Sequence, residues 1–134
     1  FGGTAVMTGP HGQNKLSTRR TTELGQSILF TTFPEVGTKE EGDAFRAVAD
    51  KSKLTRYGMD CYAYALLAAG QVDLVIEAGL PSYDIQAPIG LIEAAGGIVT
   101  DWSGNPAHHG GRALAAANPT LHEAAMAVLS EYLK

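Results

Sequence analysis

Cysteine is nearly absent from the chain: Cys61 is the single one in 134 residues, so no internal disulfide can form and a disulfide-stapled scaffold is excluded. Charge is sparse as well, at 18% of residues, with a net charge of -4 and no run of like sign. That balance offers nothing to a polyanion, so neither nucleic acid nor an anionic membrane is an expected partner. No apolar stretch approaches the roughly 20 residues that a helix needs to span a bilayer. Low-complexity segments, internal repeats and linkers are missing too. These absences make the cytoplasm the expected compartment.

What is present suits one packed domain. Hydrophobic residues make up 45% of the chain and glycine occurs 16 times, a composition too apolar for disorder. A chain of this length can bury roughly two thirds of its unfolded surface. It opens on Phe1 without an initiator Met, a signal peptide or a tag, so the expectation is a piece of something longer.

Along the chain, Gly9-Pro10-His11-Gly12 reads as the turn of a hairpin within residues 1–18. Gln26 to Thr32 is β-branched and aromatic before Phe33-Pro34 stops it, which predicts a strand. Thr38-Lys39-Glu40-Glu41 supplies a cap and early acids for an amphipathic helix carrying Phe45, Val48 and Ala49. A short strand over 54–57 precedes a helix over 60–69 with Asp60 in position to cap it and Gly70 to end it. Val72, Leu74 and Ile76 alternate with Asp73 and Val75 in a strand over 71–77. Further expectations are a helix over 84–95 closed by Gly96-Gly97, strands over 98–101 and 113–117, and a last helix over 120–133. The last helix buries Leu121, Ala125, Val128 and Leu129. Strands alternating with helices predict an α/β fold, a layered sheet with helices on both faces.

Two acids bracket one loop of this scheme: Glu77 at a strand end and Asp84 at the next helix start. In such a sheet the crevice beyond the strand ends is the usual ligand site, and both carboxylates would face it. Each has a plainer alternative, Asp84 as a helix cap and Glu77 as a solvated strand-end acid. Asp60 shares the capping alternative, and Arg56 at a strand end serves an ion pair as readily as a phosphate.

The stretch from Ser82-Tyr83-Asp84-Ile85 to Glu93-Ala94-Ala95-Gly96-Gly97 and the strand after it resembles the closing signature of the inositol-monophosphatase-like family of magnesium-dependent phosphatases. The interval from Gly58 to Glu77 and on to Asp84 matches the family spacing without a gap. Leu54-Thr55-Arg56-Tyr57-Gly58-Met59-Asp60-Cys61-Tyr62, Leu16-Ser17-Thr18-Arg19-Arg20 and Phe30-Thr31-Thr32-Phe33-Pro34 are similar to the histidinol-phosphatase branch. The resemblance implies that Asp84 is a magnesium ligand, that Glu77 and Asp60 contact the organic part of a small phosphorylated substrate, and that the backbone around Gly58 and Met59 lines the same pocket. Histidinol phosphate carries an ammonium group where inositol has only hydroxyls, so an acid at position 60 would select an amine. Tyr83 stands where the family usually has Trp, Met59 replaces a small residue, and Gln86 and Pro88 interrupt the usual alanines.

The family's upstream half, with its paired glutamates and Asp-Pro-Ile-Asp-Gly-Thr run, is not in the sequence. Magnesium wants about six oxygens, and this phosphoryl transfer uses a cluster of metals to activate water. Residues 1–134 therefore read as the C-terminal subdomain of such an enzyme, inactive without an N-terminal half or a second copy, and a homodimer is expected. The alternatives are a phosphatase of an inositol, sugar or nucleotide phosphate, and a half-domain that serves as a binding or assembly module.

Other motifs carry less. His108-His109 reads as a solvated loop whose rings diverge, and His11 and His122 lack a telling neighbour. Cys61 reads as a buried helix residue. Gly2-Gly3 and Gly96-Gly97 lack the helix-opening pattern of a nucleotide loop.

Overall fold

Short apolar segments separated by helix-forming stretches assemble into one five-stranded sheet. The computed structural model describes residues 3–133; Phe1, Gly2 and Lys134 lie outside the described residues, and with them the start of the expected hairpin segment and half of Gly2-Gly3. The strands are β1 (Val6–Gly9), β2 (Gly12–Lys15), β3 (Ile28–Phe30), β4 (Leu54–Arg56), β5 (Leu74–Leu80), β6 (Ile98–Thr100) and β7 (Gly111–Ala116). The helices are α1 (Lys39–Lys51), α2 (Tyr62–Ala68), α3 (Ser82–Ala94) and α4 (Pro119–Tyr132), with a 3-10 turn at Leu24–Gln26. No helix among the described residues is long and apolar enough to cross a membrane.

The sheet order is β4-β3-β5-β7-β6, with β3 parallel to β4 and β5, and β7 antiparallel to both of its neighbours. α1 and α4 cover one face, packing Phe45, Leu121 and Leu129 over Leu29, Leu74, Ile76 and Leu114. α2 and α3 cover the other, packing Leu67, Ile85 and Ile92 over Val75, Ala113 and Ala115. The layered α/β expectation holds. Both sets of the β5 alternation are buried, as a central strand between two helical layers requires. Asp73 survives that burial because its carboxylate accepts from Arg19 Nε at 2.9 Å and from the Ile28 N–H at 2.8 Å.

Local chemistry sets the element ends. Thr38 caps α1 through the Glu41 N–H while the Glu41 carboxylate accepts from the Thr38 N–H, a complete capping box. α3 ends where Gly96 takes a φ of 104°, and at Gly97 a Cβ would stand 2.6 Å from Ile92 Cγ2. β1 and β2 form the expected hairpin around Pro10-His11, but all of its residues are exposed.

Three expectations need correction. Asp60 does not cap α2: the cap position is Cys61, and Asp60 sits in the left-handed region at φ 47°. Asp84 does not cap α3 either, because the helix begins at Ser82 after Pro81 and Asp84 falls in its first turn. Cys61 is exposed rather than buried, since the helix starts one residue beyond it. His108 and His109 do lie on an exposed loop, yet their rings stay together with centroids 4.0 Å apart. His122 is mostly buried and its Nε2 lies 2.7 Å from Thr100 Oγ1.

Candidate active site

The topology opens a crevice. From β3 the chain crosses through α1 to β4 on one side, while from β5 it crosses through α3 toward β7 and β6 on the other. At such a reversal the carboxyl ends of the two central strands splay apart and ligands can enter. There lies a cavity of about 210 Å³ lined by Thr32, Asp60, Cys61, Tyr64, Glu77, Leu80 and Asp84. A larger groove of about 640 Å³ runs along the β6 edge, but Glu93 is the one acid among its largely apolar walls. The smaller cavity is where charge converges.

Each acid reaches the cavity by a different route. Glu77 stands on β5 at the point where that strand carries one extra residue against β7, Glu77 pairing with Ala113 but Leu80 with Gly111. Such a bulge bends the strand and re-aims its side chains. Asp84 sits in the first turn of α3, where the positive end of the helix dipole favours a carboxylate. Pro88 has no N–H to offer four residues on, so the Asp84 carbonyl lacks its helical partner. Asp60 arrives from the loop after β4, which is tied down by the Gly58 N–H donating to the Thr32 carbonyl at 2.9 Å.

Burial acts most on Glu77, which is 8% exposed. Desolvation pushes its pKa up to about 7; the neighbouring Tyr64 and Thr32 hydroxyls oppose that rise, and the charges of Asp60 and Asp84 add to it. The Thr32 Oγ1 donates to Glu77 Oε2 across a long 3.4 Å. A carboxyl poised near neutrality beside two exposed carboxylates marks a functional site more often than a structural one.

Of the residues singled out by sequence, Asp60, Glu77 and Asp84 come together. Gly58 and Met59 stand beside the cavity without lining it; Met59 packs against the α2 and α3 core and its carbonyl accepts from the Tyr62 N–H at 3.0 Å. Arg56 is exposed at the end of β4, and its guanidinium donates to the Thr55 carbonyl at 3.0 Å. Sequence reasoning passed over Thr32, Tyr64, Cys61 and Leu80. No local signal marked Tyr64, because Asp60 precedes α2 in the left-handed region and helical spacing does not extend back to it.

The family model for the inositol monophosphatase family matches residues 2–134. The chain belongs to the inositol monophosphatase family. A curated relative, the chloroplastic bifunctional phosphatase IMPL2 of Arabidopsis thaliana, is 53% identical over 89 residues, which cover 66% of this chain and 26% of that protein. A histidinol-phosphatase of Streptomyces coelicolor is 34% identical over 97 residues, covering 71% of this chain and 36% of that protein. Among solved structures, an inositol monophosphatase from Zymomonas mobilis superposes with a TM-score of 0.83 at 35% identity, covering 88% of this chain and 49% of that one. The chain thus spans between about a quarter and a half of the length of these relatives.

Members of this inositol monophosphatase family typically use divalent metal, so the acids can be tested against that requirement. Among the described residues no three His, Cys, Asp or Glu side chains converge closely enough to hold a metal ion. A magnesium ion takes about six oxygens in near-octahedral array. The donor set of the described residues does not by itself make a metal centre.

Proposed function

We propose that this chain carries the substrate-recognition wall, and one metal-binding carboxylate, of a phosphomonoesterase that acts on an amino-alcohol phosphate, with histidinol phosphate as the leading substrate and Mg2+ as the cofactor. One observation carries the reading. Asp60, Glu77 and Asp84 line one cavity whose walls include no basic side chain. Such a cavity attracts a cation and repels a bare phosphate, so it fits the amine end of a substrate whose phosphate lies elsewhere. The name of the Streptomyces relative points to the same class of ester.

In this reading Asp84 is the metal ligand, and Asp60 and Glu77 accept hydrogen bonds from the ammonium group. Gly58 and Met59 set the backbone that presents Asp60, and Arg56, exposed at the end of β4, is assigned to the phosphate. The remaining metal ligands come from outside the described residues, on a longer chain, a second chain or a second copy. Residues 1–134 therefore form a C-terminal subdomain that is inactive alone.

The test is phosphate release with Mg2+, using the chain alone and the chain mixed with a polypeptide matching the portion of its relatives that it lacks. The chain alone is expected to release none, and the mixture to prefer histidinol phosphate over inositol phosphate. Asp60→Ala in the mixture should lower that preference about ten- to a hundredfold, the effect of one lost hydrogen bond to a charge. Equal use of both esters, or an unmoved preference in Asp60→Ala, would sink the amine reading and favour an inositol, sugar or nucleotide phosphate. Turnover by the chain alone would sink the claim of incompleteness. The lack of a three-ligand cluster among the described residues favours a second reading, a binding or assembly module, which a catalytically dead mixture would support.

A further inference from the structure

One buried polar atom at the cavity has no partner. Tyr64 is 2% exposed, its side chain lines the cavity, and its hydroxyl makes no hydrogen bond among the described residues. Buried hydroxyls in folded proteins are almost always paired, so an orphan facing a cavity asks what completes it. Its charged neighbour is Glu77: burial raises the Tyr64 pKa well above the usual value, and Glu77 and then Asp84 raise it further. Glu77 is itself loosely held: among the described residues its carboxylate accepts one side-chain hydrogen bond, the long 3.4 Å contact from Thr32. A carboxylate with a long bond thus sits beside an idle donor, in a cavity whose charged walls are all acidic.

We propose that Tyr64 is a positioning residue that locks Glu77 for a cation. When an organic ammonium enters, the Glu77 carboxylate turns toward it and accepts the Tyr64 hydroxyl bond that the free protein leaves unmade. Hydrogen bonds in empty sites are often long or misaligned and tighten only on binding. The inference rests on the reading of the cavity as a cation site and needs no particular phosphate ester.

Tyr64→Phe in the 134-residue chain removes the hydroxyl and keeps the ring. Two quantities decide the matter: the Tm of the free protein, and the dissociation constants for L-histidinol alone and for Mg2+ alone, with myo-inositol as a neutral comparison. The variant is expected to melt a few degrees higher, because an unpaired buried group is gone. Its affinity for the cation that fills the site should fall about five- to tenfold, the loss of one hydrogen bond, while its response to myo-inositol stays unchanged. In a Glu77→Gln background the same substitution should leave affinity unmoved.

Weakened binding of L-histidinol identifies the cation as an organic ammonium. Weakened binding of Mg2+ with no response to L-histidinol removes the amine reading and overturns the inference. A lower Tm in Tyr64→Phe means that the hydroxyl already has a structural partner, and overturns the inference. So do unchanged affinities for both cations, a wild-type protein that binds neither, and a full effect of Tyr64→Phe in the Glu77→Gln background.

Discussion

At the scale of single residues the cavity is governed by one carboxyl that is out of its usual range. Glu77 has a pKa of about 7 in the folded chain against 4.5 for a free glutamate, so the folded state holds the proton more tightly than the unfolded state. Its contribution to stability is therefore complete below pH 4.5 and is lost as pH rises through 7. The full effect is of the order of 2 kcal/mol, with the partial solvation of the site allowed for. Melting curves in the presence of a chelator should show Glu77→Gln gaining several degrees on the wild type between pH 4.5 and 8. Parallel pH profiles for the two proteins would contradict this. The acids themselves were legible in the sequence as neighbours of one strand-to-helix connection, although Glu77 is not the solvated strand-end acid that its position suggested: β5 runs on to Leu80 and buries it. The hydroxyls that tune Glu77 were not: Thr32 and Tyr64 come from elements far from it in sequence, and only the pairing of β3 with β5 and the seating of α2 bring them in.

Elements are legible where their signals are local. The capping box of α1 could be read from Thr38 and Glu41 because both partners lie within one turn. Thr38→Ala removes the hydroxyl that accepts from the Glu41 N–H but leaves the Glu41 carboxylate accepting from the backbone N–H at position 38 and from Arg112 Nε at 2.7 Å. A loss of about 1 kcal/mol in chemical denaturation is expected, and a loss below a few tenths would mean that the Glu41 carboxylate holds the helix end without the hydroxyl. The start of α3 was misread because Pro81 and Ser82 begin the helix without a capping side-chain bond, leaving Asp84 as the most visible signal two residues inside it. Asp60 offers the capping alternative for a similar reason, and its positive φ, which turns the chain before α2 begins, removes that alternative. That displacement moves Cys61 out of the core and onto the cavity wall.

The whole molecule holds together as two cores on the faces of one sheet, and periodicity with strand-helix alternation was enough to foresee that layering. What the sequence pattern could not foresee is which surfaces the fold leaves bare. Phe33, Tyr57, Tyr62 and Tyr83 are exposed large side chains that stand next to, or within three positions of, residues lining the cavity, and Val6 and Met7 are exposed on the β1–β2 hairpin. A two-stranded ribbon is marginal in water unless something packs on it, and apolar groups gathered on one side of a protein mark an interaction surface. The β1–β2 amides should accordingly exchange with solvent far faster than those of β5 and β7. The chain alone should also self-associate, sedimenting as a concentration-dependent monomer and dimer and binding an apolar dye. Association through the ribbon would slow the β1–β2 amides as concentration rises, whereas association through the aromatic rim would leave them fast and instead shield Tyr62 and Tyr83. A monomer at all concentrations with no dye binding would show that these side chains are ordinary exposed residues and that the proposed incompleteness of the site has no counterpart on the surface.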